Sequence, residues 1–518
     1  MKKKQLRWTL WTIASPFILF IILCILIYLP PIQNFLVDKA AVYASEATGM
    51  NISVGRISLS FPLNLVVTDV DAASPHKDTL LSVRRLQVNV QLLPLLKKQV
   101  EVDGISLQGA TVNSNDLIHG MRLNGTLGEL FISSHGVALD PETAIVNKVL
   151  LKDTDLSLCL NDTAAADTAA SDTTYWKIIL QDIDLQNVSF ALDMPLDSLS
   201  LAASLDNATL RDGLIDLHKS AYSLQTFRIK NGRVRYDSGR PSATASADSL
   251  SAGLDPSHIA LTDIGVKLDS LYYEGRNMKA IISQFVLKER SGVEIVSTEG
   301  RLVSNDKVLR VPSLKLETRD SYLELNAAMD WDALDFKKEG LVSARLMADI
   351  GKPDVVRFMG SMDEKFIRKY PSEPLRIRTG IDGDLNKLKL TTLTAELPGA
   401  LELFAKGELT SLTDSLLRGG DITLQAETKD LKFISTLAEG IEIPYGTRLE
   451  GKFTMAGPKI GTDLLLMQPE AHAVAAADTI PITVYNDSIS VADDFKMERA
   501  ARLFAKYDLS RDRYEADL

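Results

Sequence analysis

Scarcity is the first thing this sequence offers. Two cysteines, six histidines and an aromatic share of 6% leave little material for several kinds of protein. Cys24 lies in a long apolar run and Cys159 in an alternating segment, so a disulfide between them is not expected and no disulfide framework can hold the chain. The histidines, at 76, 119, 135, 218, 258 and 472, are scattered, and none forms the His-Glu-x-x-His spacing that places two metal ligands on one helical face. There is no Gly-x-Ser-x-Gly elbow, no phosphate loop and no Cys-x-x-Cys pair. Acidic pairs such as Asp182 and Asp184 sit on strand positions and read as a solvated face. The chain is therefore not read as an enzyme, and no cofactor is expected. A concentrated basic face is lacking too: the net charge is −11 with both signs mixed along the chain, which excludes a nucleic-acid partner.

What is present begins at the N-terminus. Lys2, Lys3, Lys4 and Arg7 (within the tail 1–7) precede an uncharged stretch from Trp8 to Leu29. At about 1.5 Å per residue that stretch matches the roughly 30 Å hydrocarbon core of a bilayer. Trp8 and Trp11 near one end and Tyr28 near the other suit the interfaces, and Phe17 and Phe20 suit the interior. The expectation is an uncleaved transmembrane anchor over 8–29, cytoplasmic before it and translocated after it, because a signal peptide would have a shorter apolar core and a cleavage site in place of Pro30 and Pro31. Within 30–50, apolar or small residues at Ile32, Phe35, Leu36, Ala40, Tyr43 and Ala47 have helical spacing, and Gly49 suits a C-terminal cap. Such an amphipathic helix could lie on the membrane or pack on the first strands.

From Ile57 the period changes to two. Ile57, Leu59, Phe61, Leu63 and Leu65 alternate with mostly polar neighbours, as do Leu86, Val88, Val90 and Leu92. Alternation recurs as far as Leu424, so a mostly β fold of one-faced strands follows, with few helices. Helices are expected at Asp354–Lys369 and near Leu431–Ala438. Four segments share a frame of apolar-x-apolar, one polar residue, then Gly, Asp or Asn, then a further apolar residue. They are centred on Gly109, Asp153, Asn187 and Asn231. Those residue types tolerate left-handed backbone angles, so a strand–kink–strand unit repeated along an elongated, quasi-repetitive sheet is expected. Residues 161–174 (NDTAAADTAASDTT) are small, polar and low in complexity, and read as a flexible loop between a β domain at 51–160 and a continuing sheet over 175–518. The last residues resemble a strand without a cap, as if the chain were cut from something longer.

These segments carry a family resemblance. The basic start, the single anchor, Glu46-Ala-Thr-Gly49, Ile52-Ser-Val-Gly55-Arg-Ile-Ser-Leu59 and Phe61-Pro-Leu-Asn-Leu65 resemble the opening of AsmA-like proteins. Asp78-Thr-Leu-Leu81, the run from Val88 to Leu96, and Gly104-Ile-Ser-Leu107 resemble the TamB branch, the inner-membrane subunit of the translocation and assembly module, in a Bacteroidetes-type form. The resemblance covers residues 1–160, and beyond them only the strand character. It implies a U-shaped β-sheet with an apolar groove (a β-taco) bridging the periplasm from the inner membrane, with phospholipid acyl chains as cargo and roles in outer-membrane biogenesis and protein secretion. It also implies an outer-membrane β-barrel partner, met through a C-terminal domain that has no counterpart in these residues.

The apolar positions expected in such a groove are Ile57, Leu59, Phe61, Leu63, Val88, Val90, Leu107, Val112, Leu185 and Phe190. A smooth apolar rail suits acyl chains, since each CH₂ removed from water contributes about 0.8 kcal/mol. Two other readings stay open: a scaffold that offers strand edges to outer-membrane β-proteins, and a closed structural module. Period two fixes alternation but not which face turns inward.

Overall fold

The computed structural model describes residues 39, 41–42, 45, 50–60, 64–74, 79–91, 102–114, 120–138, 142–161, 175–239, 253–335, 338, 340–359, 364–384, 386–412, 414–436, 445–469, 483–485, 488–490, 497–508 and 513–517. The expected anchor at 8–29 lies outside them. Among the described residues no helix is long and apolar enough to cross a membrane. Residues 39, 41, 42 and 45 are helical, inside the range where a helix is expected. The fold is mostly β and divides into two compact units, the first through Gly275 and the second from Arg276, with residues 246–255 belonging to the second.

Unit 1 is a ladder of strands β1 (Asn51–Ser60), β2 (Asn64–Ala73), β3 (Thr79–Val90), β4 (Val102–Asn113), β5 (Met121–Ala138), β6 (Thr143–Leu160), β7 (Lys177–Met194), β8 (Leu199–Asp216), β9 (Ala221–Leu224), β10 (Thr226–Ser238) and β11 (His258–Glu274). Each strand pairs antiparallel with its sequence neighbour, with two departures. β6 and β7 pair parallel, and β8 is flanked past Arg211 by the short β9 and before it by β10. Strands of 18 residues in β5 to β8 run about 60 Å, long for a globular sheet.

Unit 2 continues with shorter strands: β12 (Asn277–Glu289), β13 (Glu294–Ser304), β14 (Val308–Thr318), β15 (Tyr322–Asp330), β16 (Val342–Ile350), β17 (Leu375–Gly383), β18 (Lys387–Leu397), β19 (Leu401–Thr410), β20 (Gly419–Thr428), β21 (Arg448–Ala456), β22 (Lys459–Pro469), β25 (Met497–Asp508) and β26 (Arg513–Asp517), with a separate hairpin β23 (Thr483–Tyr485) and β24 (Ser488–Ser490). Consecutive strands again pair antiparallel. The helix expected over Asp354–Lys369 is present as two pieces, α1 (Lys352–Phe358) and α2 (Glu364–Lys369). Of the helix expected near Leu431–Ala438, the described residues, which end at Thr436, form a 3-10 turn at Ile434–Thr436.

The two helices close one rim of unit 2. Phe366 and Tyr370 pack with Leu397, Ala400, Leu431 and Phe433, and the rings of Phe366, Tyr370 and Phe433 lie 5.2 to 5.7 Å apart. Leu397 and Leu401 are cross-strand partners two residues from Ala395 and Leu403, so this cluster covers the end of the apolar face of that sheet. Asp354 locks α1 down. It is fully buried, accepts hydrogen bonds from the hydroxyls of Thr318 and Ser321 (2.6 Å for the latter), and pairs with Arg357 at 2.9 Å. Burial works against the charge on Arg357, yet its hydrogen bonds to Asp320 and Asp354 outweigh that and raise its pKa.

Candidate functional site

Register decides which side chains share a face, because cross-strand partners point the same way. In unit 1 one row runs Ile57, Val67, Leu86, Leu107, Leu130, Leu151, Leu185, Ala208, Ile229 and Val266, each paired with the next across ten strands. The adjacent row on the same face runs Leu59, Leu65, Val88, Ile105, Ile132, Val149, Ile183, Leu210, Phe227 and Leu268. All twenty side chains are apolar. Nineteen are half-buried and only Ala208 is buried, as in a sheet whose side chains touch their neighbours but carry no second layer among the described residues. On the opposite face the corresponding row is polar: Thr68, Arg85, Gln108, Glu129, Lys152, Gln186, Asn207 and Lys230.

Beyond the first row the strands β1 to β8 and β10 switch the parity of their apolar residues, while β11 keeps it as far as Ile264. Leu107 is followed by Ala110 and Val112, Leu185 by Val188 and Phe190, Ile229 by Gly232 and Val234. The cause sits between. Gly109, Asp153, Asn187 and Asn231, the four positions singled out by the sequence frame, all have φ between 49° and 61°, and Asp69 on β2 has φ 54°. The registers place these residues in one line across the sheet, opposite Gly55, Arg84, Gly128 and Asp206. Both members of each pair step together, so the register survives while the side-chain phase advances by one.

Two glycines show that the step returns apolar residues to the same face. A Cβ built on Gly232 would lie 3.3 Å from a Cγ of Ile229, three residues earlier, across the kink at Asn231. At a second kink, where Asp212 has φ 50°, a Cβ on Gly213 would lie 2.9 Å from a Cδ of Leu210. Residues at i and i+3 therefore meet on one side wherever a left-handed residue intervenes. The polar side chains of the kinks bind each other: the Asn187 amide donates to Asp153 at 2.9 Å and the Asn231 amide to Asp206 at 2.8 Å.

Of the positions expected in a groove, Ile57, Leu59, Val88, Leu107 and Leu185 stand in the two central rows, and Val112 and Phe190 join the same face beyond the kink line. Val90 follows Val88 past a register shift and pairs with Val102. Phe61 and Leu63, like Trp8, Trp11, Phe17, Phe20 and Tyr28, lie outside the described residues. Sequence reading missed the contributions of β5 and β8, where Leu130, Ile132, Ala208 and Leu210 complete the rows. Their signal was present as short alternations, broken by the kinks into pieces too brief to stand out.

The face ends at one rim in tyrosines. Tyr222 and Tyr273 are cross-strand partners with ring centroids 6.1 Å apart, and Tyr175 meets His218 edge-on at 5.5 Å. Tyr272, on the other face, hydrogen-bonds to Glu274, which holds its hydroxyl above the ordinary phenol pKa. Among the described residues no three His, Cys, Asp or Glu side chains converge in a metal-ligating group. No protein-family model and no curated protein matches this chain.

Proposed function

We propose that this chain carries lipid acyl chains along the apolar face of unit 1, as an AsmA-like envelope protein of the TamB type. In this reading residues 8–29 anchor it in a bacterial inner membrane, the bulk is periplasmic, and an elongated U-shaped sheet passes phospholipid toward the outer membrane in support of outer-membrane biogenesis. The observation that carries the reading is the pair of uncharged central rows, ten strands wide and without a covering layer among the described residues. A uniform row suits transport, because no position holds a chain much better than the next. A ~16-carbon chain placed there would gain on the order of 10 kcal/mol against water.

The test is a photoreactive amino acid introduced into the full chain at Leu107, and separately at Gln108 on the opposite face. Phospholipid adducts at 107 and few at 108 are expected, with a large loss when Leu185 is changed to Asp. Equal labelling at both positions, or none at 107, would remove the proposal. One observation favours a second reading, a scaffold for outer-membrane β-proteins: among the described residues β1 pairs only with β2, and its Ile52 amide donates to the Ser45 hydroxyl at 3.0 Å, leaving further edge groups for an added strand. Adducts to a nascent β-protein at β1, without lipid at 107, would favour it.

A further inference from the structure

The rim of unit 2 opposite its helices holds apolar side chains outward on its loops. Leu416 and Leu417 are 76% and 71% exposed, and Leu334 and Leu341 are 61% and 65% exposed. Both pairs belong to that rim, since the loops β15–β16 and β19–β20 leave and re-enter the sheet at the same strand ends as the β17–β18 turn. Exposed leucines on a floppy loop would mean little. The described residues of the β19–β20 loop are held by hydrogen bonds. The Asp414 carboxylate accepts the amides of Leu416 and Leu417 at 2.8 and 3.1 Å, and the Ser411 amide donates to the Asn386 carbonyl at 2.9 Å. On the other side Arg418 and Gly457 exchange two hydrogen bonds, at 2.7 and 2.8 Å. Ser411 holds φ 50° to make the corner.

We propose that this rim rests on a lipid surface, with Leu416 and Leu417 inserted among acyl chains. Three observations choose lipid over protein. The four leucines together offer about 250–500 Å² of apolar surface, well below the roughly 800 Å² per partner of a stable protein interface. The two pairs are four strand spacings apart, about 19 Å, which suits a broad plane better than a pocket. Leucine is under-represented among protein hot spots but is a common inserting residue at membranes. Trp331 lies on the same rim with its indole N–H donating to the Asn305 carbonyl at 2.8 Å, and tryptophan prefers the bilayer interface. Lys338 pairs with Asp332 at 2.9 Å, Asp384 and Asp414 accept backbone amides, and Lys307 and Lys459 are exposed at the same rim. This inference does not rest on lipid transport by unit 1.

The experiment uses the full chain reconstituted into vesicles of phosphatidylethanolamine and phosphatidylglycerol that contain a photoactivatable phospholipid, with adducts mapped by mass spectrometry. Adducts on peptides spanning 411–418 are expected, reduced about tenfold or more in a Leu416→Ser, Leu417→Ser double variant that keeps the wild-type circular dichroism and melting curve. Both side chains are exposed, so the double variant should fold. Absence of adducts on the loop, or equal labelling in the double variant, overturns the proposal whatever is found in unit 1. So does a self-association, measured by sedimentation, that the double variant abolishes, since it would make the rim a contact between copies.

Discussion

The two units build a one-faced apolar sheet by different means. In unit 1 the side-chain phase advances at left-handed residues that both neighbours accommodate, so the registers from β1 to β10 stay intact across the line, and only β10 against β11 shifts there. In unit 2 it advances at bulges in single strands. β14 switches parity between Val311 and Leu314, around Pro312, while its partner β15 keeps one parity from Leu323 to Met329. β18 does the same between Leu390 and Leu393, opposite an unswitched β19. The packing differs as well. In unit 2 large and small residues alternate along a row, Ala348, Ile377, Ala395, Leu403, Ala426 and Leu449, and Ala348 and Ala426 are buried beneath their neighbours. In the two central rows of unit 1 large residue mostly follows large residue and only Ala208 is buried. The difference teaches that an apolar face can be made compact by interdigitation or left available by uniformity. Among the described residues, only unit 2 has a buried aromatic plug at a rim.

Substitutions should separate the two designs, with Trp176 reporting on unit 1 and Trp331 on unit 2 by fluorescence after Trp8 and Trp11 are changed to Phe. The largest effect is expected from Phe366→Ala, which opens a cavity in the plug and should destabilise unit 2 by about 4 kcal/mol in urea, leaving the Trp176 transition in place. A shift of both transitions together would mean that the units unfold as one. Next comes Asp354→Ala, which leaves the hydroxyls of Thr318 and Ser321 without this acceptor and Arg357 with Asp320 alone; a loss of about 3 kcal/mol is expected, again at Trp331 alone. In unit 1, Asn187→Val forces a β-branched residue into φ 51° and should cost about 2 kcal/mol, whereas Asn187→Gly should be tolerated. If Val were as stable as Gly, the left-handed kink would not govern that strand. The smallest effect is expected from Leu107→Ala, about 1 kcal/mol, because the side chain is only half-buried. A cost near that of Phe366→Ala would show that the face of unit 1 is covered after all.

Much of this was legible in the sequence, for a physical reason. Left-handed angles demand Gly, Asn or Asp, so the kinks leave a residue signature, and the frame around Gly109, Asp153, Asn187 and Asn231 marked one line of the sheet. The bulge at Thr391 and Thr392 demands nothing of the kind, so it left no trace. The helical pattern over Asp354–Lys369 was readable from its spacing, but its packing against Phe433 depends on residues about 65 positions later in the chain. Alternation could not say that Val112 and Leu107, five residues apart, share a face. In an unbroken strand they would point to opposite sides, and only the φ of Gly109 reverses that.

The neighbour-to-neighbour order of the strands bears on how the molecule comes into being. A ladder in which each strand pairs with the one made before it has its contacts close in sequence, unlike sandwiches whose partners are far apart, and such local pairing favours rapid folding. It can grow from its N-terminal end as the chain lengthens, each new hairpin docking on a finished template. The growing end always shows an unpaired strand, so the hazard of aggregation moves along with synthesis. The parallel step from β6 to β7 interrupts that growth, since no two-residue hairpin can join a parallel pair. A pause in folding is expected there, and chains halted within 161–176 should be the most readily degraded.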